Sequence, residues 1–419
     1  MALDLLNTKG VPVERQAFTA RDLIPQPYSK LNDDAFTRVR VILMNGIEQG
    51  LNRFLHNAAR HSLELRPHLA MIRRIDQHQQ TLINNLNPAD QNALELTLGY
   101  EQVAIEVTAS IAIHEPDPYL AQVHRFGMLE DFDHLYRYGA AYDRVLGQDP
   151  NNITQCYTDI RPGRPTAVEH RHPLDDLRNP YDKRTAHPLS KLHALTLTHS
   201  EHQTRDYYMN IGPTFTDPMV RALYAEIASI EEQHVTQYES LLDPTESLME
   251  KWLMHEAMEV YNYASCVEYE SNPRIKAIWE RFLDYELGQL QFVMELFKHV
   301  EKRDPAEVLP ATLPELIGFK EHREFVRKVL SEEEDMRTNG PDFIRASQLP
   351  DDHRSVIYQK HFVSQGSPTD IVSAGYRWTP GTELTLEAAS PGAMQQPGAT
   401  TAELAEGSKN YVAHNGGVR

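Results

Sequence analysis

Apolar residues recur at helical spacing over most of this chain. Leu94, Leu98, Ile105 and Ala112 fall on one stripe of residues 91–115, and Leu120, Val123 and Gly127 open a second over 118–146. Val220, Leu223 and Ile227 repeat the second pattern over 218–241. The same periodicity predicts helices over 190–211, 247–271, 273–302 and 319–336, and two more within 33–86 separated near Leu65-Arg66-Pro67. Residues 1–30 carry Pro12, Pro25 and Pro27 and read as an extended arm. Residues 147–189 hold six prolines from Pro150 to Pro188 and no sustained period, so a long connection is expected there. After Gly340 the chain is rich in Pro, Gly, Ser and Thr, which predicts either a few short strands or an arm laid over a neighbouring subunit. The expected fold class is all-α. Its parts are an arm (1–30), an accessory hairpin (31–90), a central unit (91–241) with its crossover (147–189), a third hairpin (242–302), and a helix with a Pro/Gly-rich tail (303–419).

Self-comparison shows a repeated helical hairpin. Glu101, Asp117-Pro118 and Asp131-x-x-His134 recur a hundred positions on as Glu201, Asp217-Pro218 and Glu231-x-x-His234. They recur again as Glu256, Asn272-Pro273 and Glu286-x-x-Gln289. The Asp-Pro and Asn-Pro pairs are explained as N-caps followed by Pro in the first turn. The acids need another reason, because Glu101 lies within an apolar stripe and the other two stripes lead to Asp131, His134 and Tyr138, and to Glu231, His234 and Tyr238. A carboxylate buried without a partner costs several kcal/mol, and a bound cation would compensate it. Residues three apart on a helix share a face, so Asp/Glu-x-x-His offers an oxygen and a nitrogen to one ion. The competing reading is a structural helical repeat whose acids are satisfied by Arg, Lys or Tyr. Arg205, one turn after Glu201, is the first candidate for that role. Glu169-x-x-His172, in the Pro-rich connection, reads as a chance match.

At Glu101, Asp131, His134, Glu201, Glu231 and His234 the chain resembles the ferritin-like di-iron carboxylate superfamily, which includes rubrerythrins, ribonucleotide reductase small subunits and bacterial hydroxylases. The resemblance covers about 91–241, with a partial echo in 247–302. It implies a ferritin-like four-helix bundle with additional helical hairpins and an extended C-terminal tail. It also implies two metal ions, iron alone or iron with manganese, held by those six residues. Asp131 stands where the family has Glu, and its shorter reach bears on how it would bridge. With the helix rotated, Glu130 would take its place and Asp133 would enter the paired frame. In ribonucleotide reductase small subunits a tyrosine placed like Tyr138 or Tyr238 can hold a radical. The plainer role for these two is a core tyrosine whose hydroxyl bonds a ligand carboxylate.

The resemblance also implies two hairpins related by a two-fold axis, so that the connection between them runs the full length of the bundle. A helix of about 25 residues is about 37 Å long. The stretch 147–189 covers that length, whereas the link from Leu242 to Ser247 spans at most about 20 Å. Hairpins one and two are therefore expected to form the site, with the third packed outside. The 33–86 pair reads as a more decayed copy, because Gly46-Ile47-Glu48-Gln49 echoes Gly99-Tyr100-Glu101-Gln102.

Charge narrows the partners. With 60 acidic and 41 basic residues the formal charge is −19, which argues against nucleic acid and anionic membrane. No apolar run approaches the ~20 residues of a membrane span, and the first residues do not read as a signal peptide. Two isolated cysteines, Cys156 and Cys266, predict neither a disulfide framework nor a thiolate metal site and fit a reducing cytoplasm. The resemblance then implies an oxidoreductase that activates dioxygen or peroxide and oxidises a small organic substrate. No paired Cys-x-x-Cys is present, so electrons are expected from an external donor protein or from the substrate. A homo-oligomer is expected. The alternatives are a ferroxidase or iron-handling shell protein, and a non-enzymatic helical interaction protein.

Overall fold

The apolar stripes pair off into helical hairpins in a computed structural model, which describes residues 3–377 apart from Asp33 and Pro314. Helices α1 (Ala35–His61) and α2 (Arg66–Asn84) form the first hairpin, and α3 (Ala93–His114) and α4 (Pro118–Leu146) the second. The connection that follows holds one short helix, α5 (Asn151–Thr154). Two more hairpins come next: α6 (Pro188–Ile211) with α7 (Pro218–Glu239), and α8 (Leu248–Tyr269) with α9 (Pro273–Glu301). The chain then adds α10 (Arg323–Glu333), an antiparallel strand pair of β1 (Met336–Asn339) and β2 (Asp342–Arg345), α11 (Arg354–Phe362) and α12 (Pro368–Ser373). Among the described residues helix makes up 66% and strand 3%, so the all-α expectation holds. No helix among the described residues is long and apolar enough to cross a membrane.

Local chemistry sets the helix starts. Asp117, Asp217 and Asn272 each accept two backbone N–H groups of the first turn, and Pro occupies the first helical position after each. Asn92 with Glu95, and Ser247 with Glu250, form capping boxes at the starts of α3 and α8. The helix expected over 319–336 ends earlier, because the chain turns at Gly340, whose φ is +60°, to pair β1 with β2. Beyond that turn the chain holds α11 and α12 as well as the short strands. The tail from 378 onward, including any arm, lies outside the described residues.

The hairpins pack in two sets. The α3–α4 and α6–α7 hairpins meet along α3/α6 and α4/α7. The first and last hairpins meet along α1 and α8, and Gln79 of α2 donates to Glu286 of α9 at 2.7 Å. Helix α1 joins the sets, because it also packs on α6 and α3. Gly46 and Gly50 permit that approach. A β-carbon at Gly50 would lie 2.2 Å from Cγ of His199, and one at Gly46 would lie 2.7 Å from Nε2 of Gln203.

The N-terminal segment is seated on α9 backbone to backbone. Val11 N–H donates to the Asp284 carbonyl at 2.9 Å, and Gln16 Nε2 donates to the carbonyls of Val11 and Tyr285, both at 2.8 Å. A β-carbon on Gly288 would overlap the Val11 carbonyl. Gly288→Ala should therefore lift the segment from α9 and cost about 1–3 kcal/mol by overpacking. A lower urea midpoint with faster proteolysis near residues 10–16 is the expected result; an unchanged midpoint would contradict it.

Candidate metal centre

Glu101 on α3, Asp131 and His134 on α4, Glu201 on α6, and Glu231 and His234 on α7 all face the space between the two central hairpins. Each is at most 1% exposed. Their donor atoms form two overlapping groups, each with atoms mutually within 4.8 Å: Glu101, Asp131, His134 and Glu231, then Asp131, Glu201, Glu231 and His234. Asp131 and Glu231 belong to both. Glu231 presents Oε1 to Nδ1 of His134 at 3.1 Å and Oε2 to Nδ1 of His234 at 3.3 Å. Asp131 Oδ1 lies 3.2 Å from Nδ1 of His234 and 4.0 Å from Nδ1 of His134. The aspartate thus reaches both histidines despite its shorter side chain.

Each imidazole is gripped from behind. Nε2 of His134 lies 3.1 Å from Glu169, and Nε2 of His234 lies 2.8 Å from Glu130. A carboxylate at Nε2 fixes the ring and leaves Nδ1 turned to the central acids, as in carboxylate–histidine–metal arrangements. Glu130 is in turn held by Arg171 Nη1 at 2.7 and 3.0 Å and by Arg164 at 3.4 Å. The Pro-rich connection supplies Glu169, Arg164 and Arg171, which explains why charged residues of that stretch are buried.

Four carboxylates and two imidazoles share this buried pocket. Burial pushes Glu101 and Glu201 well above the usual carboxylate range, and the neighbouring acids add to the rise. Burial also raises Glu231, but its contacts with both histidines bring it down to about 2. Burial works against charge on the two imidazoles, yet the carboxylates around them hold both well above the ordinary histidine value. Both oxygens of Asp131, one oxygen each of Glu101, Glu201 and Glu231, and Nδ1 of His234 make no well-aligned hydrogen bond although buried. Orphaned oxygens and a nitrogen converging on one space fit a metal centre. These buried groups could hold metal ions.

The structure also places the other residues that the sequence singles out. Arg205 turns away from Glu201 and pairs with Asp206 at 2.9 Å and with Glu232 at 2.5 Å. Asp133 points out of the centre and binds Arg137, Thr166 and the Gly163 amide, so Asp131 is the residue in the inward frame. His172 caps a short turn away from the acids, whereas Glu169 supports His134. The Tyr138 and Tyr238 hydroxyls reach no hydrogen-bond partner. The tyrosine that bonds a central acid is Tyr208 on α6, whose hydroxyl donates to Glu101 at 2.5 Å. Its place on the first helix of a hairpin, away from the acid-x-x-His pairs, gave no signal in the pattern.

A cavity of about 1040 Å³ lies against the α6–α7 hairpin and residues 170–176 of the Pro-rich connection. Met209, Tyr224, Ala225, Ala228 and Gln233 line it, together with Tyr208 itself. Tyr208 therefore stands between this cavity and Glu101. No protein-family model matches the chain, and no curated protein and no solved structure matches it either.

Proposed function

We propose that this protein is a ferritin-like di-iron oxidoreductase that uses dioxygen or peroxide to oxidise a small organic substrate. The observation that carries the reading is the double sharing of Asp131 and Glu231 between two groups, each completed by one further glutamate and one histidine Nδ1. Four carboxylates neutralise two divalent ions, and two imidazoles leave coordination positions for a reactant. Two bound ferrous ions would supply two electrons to oxygen. The chain's own part is to fix and insulate the centre. Glu169 and Glu130 orient the imidazoles, Arg171 and Arg164 anchor Glu130, and the apolar faces of α3, α4, α6 and α7 exclude water. The cavity beside Tyr208 is the proposed substrate site, and Tyr208 the side chain that couples it to Glu101. Electrons for repeated turnover would come from an external donor or from the substrate.

The test is to load metal-free protein anaerobically with ferrous iron and follow absorption and oxygen consumption after mixing with oxygen. About two irons per chain and oxygen-dependent oxidation are expected, with loss of the oxidation in Glu231→Ala. Paired iron that shows no oxygen-dependent change over many minutes, with and without candidate substrates, would overturn the oxidoreductase reading and leave a structural metal site.

A further inference from the structure

A second cluster of buried acids lies between the first and last hairpins. Glu48 on α1, Asp76 on α2, Glu256 and Glu259 on α8, and Glu286 on α9 are all fully buried. The groups that act on them are one another and four neutral side chains, Gln79, Gln289, Trp252 and Tyr263. None of the five forms an ion pair among the described residues. Burial disfavours charge on each, repulsion from the neighbouring acids adds to it at Glu48, Asp76, Glu256 and Glu259, and Glu286 is instead eased by Glu259 and Gln79.

Hydrogen bonding leaves most of the cluster open. Gln79 Nε2 donates to Glu286 Oε1 at 2.7 Å and to Glu48 Oε1 at 3.1 Å, and Gln289 Nε2 donates to Glu286 Oε1 at 3.1 Å. Trp252 Nε1 donates to Glu256 Oε1 at 2.7 Å, and the Tyr263 hydroxyl donates to Glu48. The second oxygens of Glu48, Glu256 and Glu286, both oxygens of Glu259, and the amide oxygens of Gln79 and Gln289 have no donor. One oxygen each from Glu256, Glu259 and Glu286 lies within 4.8 Å of the other two, a separation that allows all three to touch one ion.

The arrangement repeats the chain order of the central site with one chemical change. Glu48 precedes Asp76-x-x-Gln79 and Glu256 precedes Glu286-x-x-Gln289, so an amide stands where each histidine stands in the central hairpins. Glu259, one turn after Glu256, adds a further carboxylate. The donor set becomes all oxygen, which favours hard cations over the ions that imidazole suits. We infer that Glu256, Glu259 and Glu286, backed by Glu48, Asp76, Gln79 and Gln289, form a second cation site that takes one hard divalent ion: magnesium, manganese or calcium. The inference stands on this cluster alone and does not depend on the chemistry proposed for the central site.

Manganese(II) alone serves as the probe, with full-length protein stripped by chelator, reloaded, desalted and assayed for bound metal. Wild type should retain one manganese per chain more than Glu259→Gln/Glu286→Gln. Excess calcium or magnesium should displace that ion and leave manganese bound at the histidine-containing centre. Equal manganese in wild type and variant would overturn the site. A second measurement does not rely on that double variant. In a Glu231→Ala background, which disables the central site, manganese should raise the melting temperature by several degrees. The shift should vanish when Glu259→Gln is added. No shift in the Glu231→Ala protein would mean that the acids simply hold protons, and the inference would fail even if the central site binds iron as proposed.

Discussion

Glu231→Ala is expected to leave the central site almost free of iron, whereas Glu101→Ala and Glu201→Ala should each leave one of two ions bound. The asymmetry follows from the geometry. Glu231 offers one oxygen to the His134 side and the other to the His234 side, and Asp131 is likewise common to both groups. Removing a shared carboxylate takes a ligand from each ion and leaves two imidazoles facing fewer anions. Removing Glu101 or Glu201 takes a ligand from one group only. Asp131→Ala should behave like Glu231→Ala, and Glu286→Ala should leave the iron in place, since Glu286 belongs to the other cluster. Elemental analysis after anaerobic iron loading and desalting separates these outcomes. Full iron in Glu231→Ala would end the shared-ligand account. Complete loss in Glu101→Ala would show that the two ions bind only together.

Arg171→Ala should be among the most destabilising single changes in the chain, at about 3–5 kcal/mol, because it leaves buried carboxylates without their main counter-charge. Arg171 bonds both oxygens of Glu130 and lies 2.7 Å from Asp176, while its own side chain is 4% exposed. Arg164, at 3.4 Å, and the His234 ring, at 2.8 Å, remain beside Glu130, and the other bonds of Arg164 run to backbone carbonyls. Replacing both partners, Glu130→Leu with Arg171→Met, should restore part of the lost stability, the remainder being the cost of Asp176 left without Arg171 and of Arg164 left without Glu130. It should not restore metal binding. Without Glu130 the His234 ring loses its Nε2 anchor, and the loss of such a partner typically weakens metal affinity about 10–100-fold. Chemical denaturation and competitive metal titration on the two proteins read the two effects apart. A double variant that regains both would show that Glu130 serves packing alone.

The central acids were legible in the sequence because they interrupt apolar stripes at a fixed separation, and stripe and spacing together place them on inward faces. Their supports were not. Glu169, Arg164 and Arg171 lie in a connection without periodicity, where a pattern cannot say which side chains turn inward. Glu169-x-x-His172 reads as a chance match because it sits in that Pro-rich connection, yet its acid supports His134 while His172 has no part in the centre. Tyr138 and Tyr238 drew notice by their spacing from the histidines, yet the polar contact they suggested belongs to Tyr208, which only packing between hairpins could reveal. Glu48 was visible through its flanking residues. Its companions Asp76 and Gln79 were not, because their spacing differs slightly and the histidine is absent. Helices α11 and α12 are too short to carry a stripe of their own, and α12 is set by packing on α4 and α7.

The way α1 bridges the two helical sets has a consequence for how the chain is made. The set built from α1, α2, α8 and α9 is split in sequence, with the whole central set inserted between its halves. During synthesis α1 and α2 emerge first, and about 160 residues must follow before α8 begins. At roughly 5–20 residues per second that is on the order of ten seconds or more. Through that interval Glu48 and Asp76 wait without Glu256, Glu259 and Glu286, and the apolar faces of α1 and α2 that α8 and α9 will cover stay open. Helix α6 emerges earlier, and its fit against Gly46 and Gly50 gives α1 a partner in the meantime. The glycine seam would then serve as a holding contact during translation, keeping the first hairpin docked until the last one arrives.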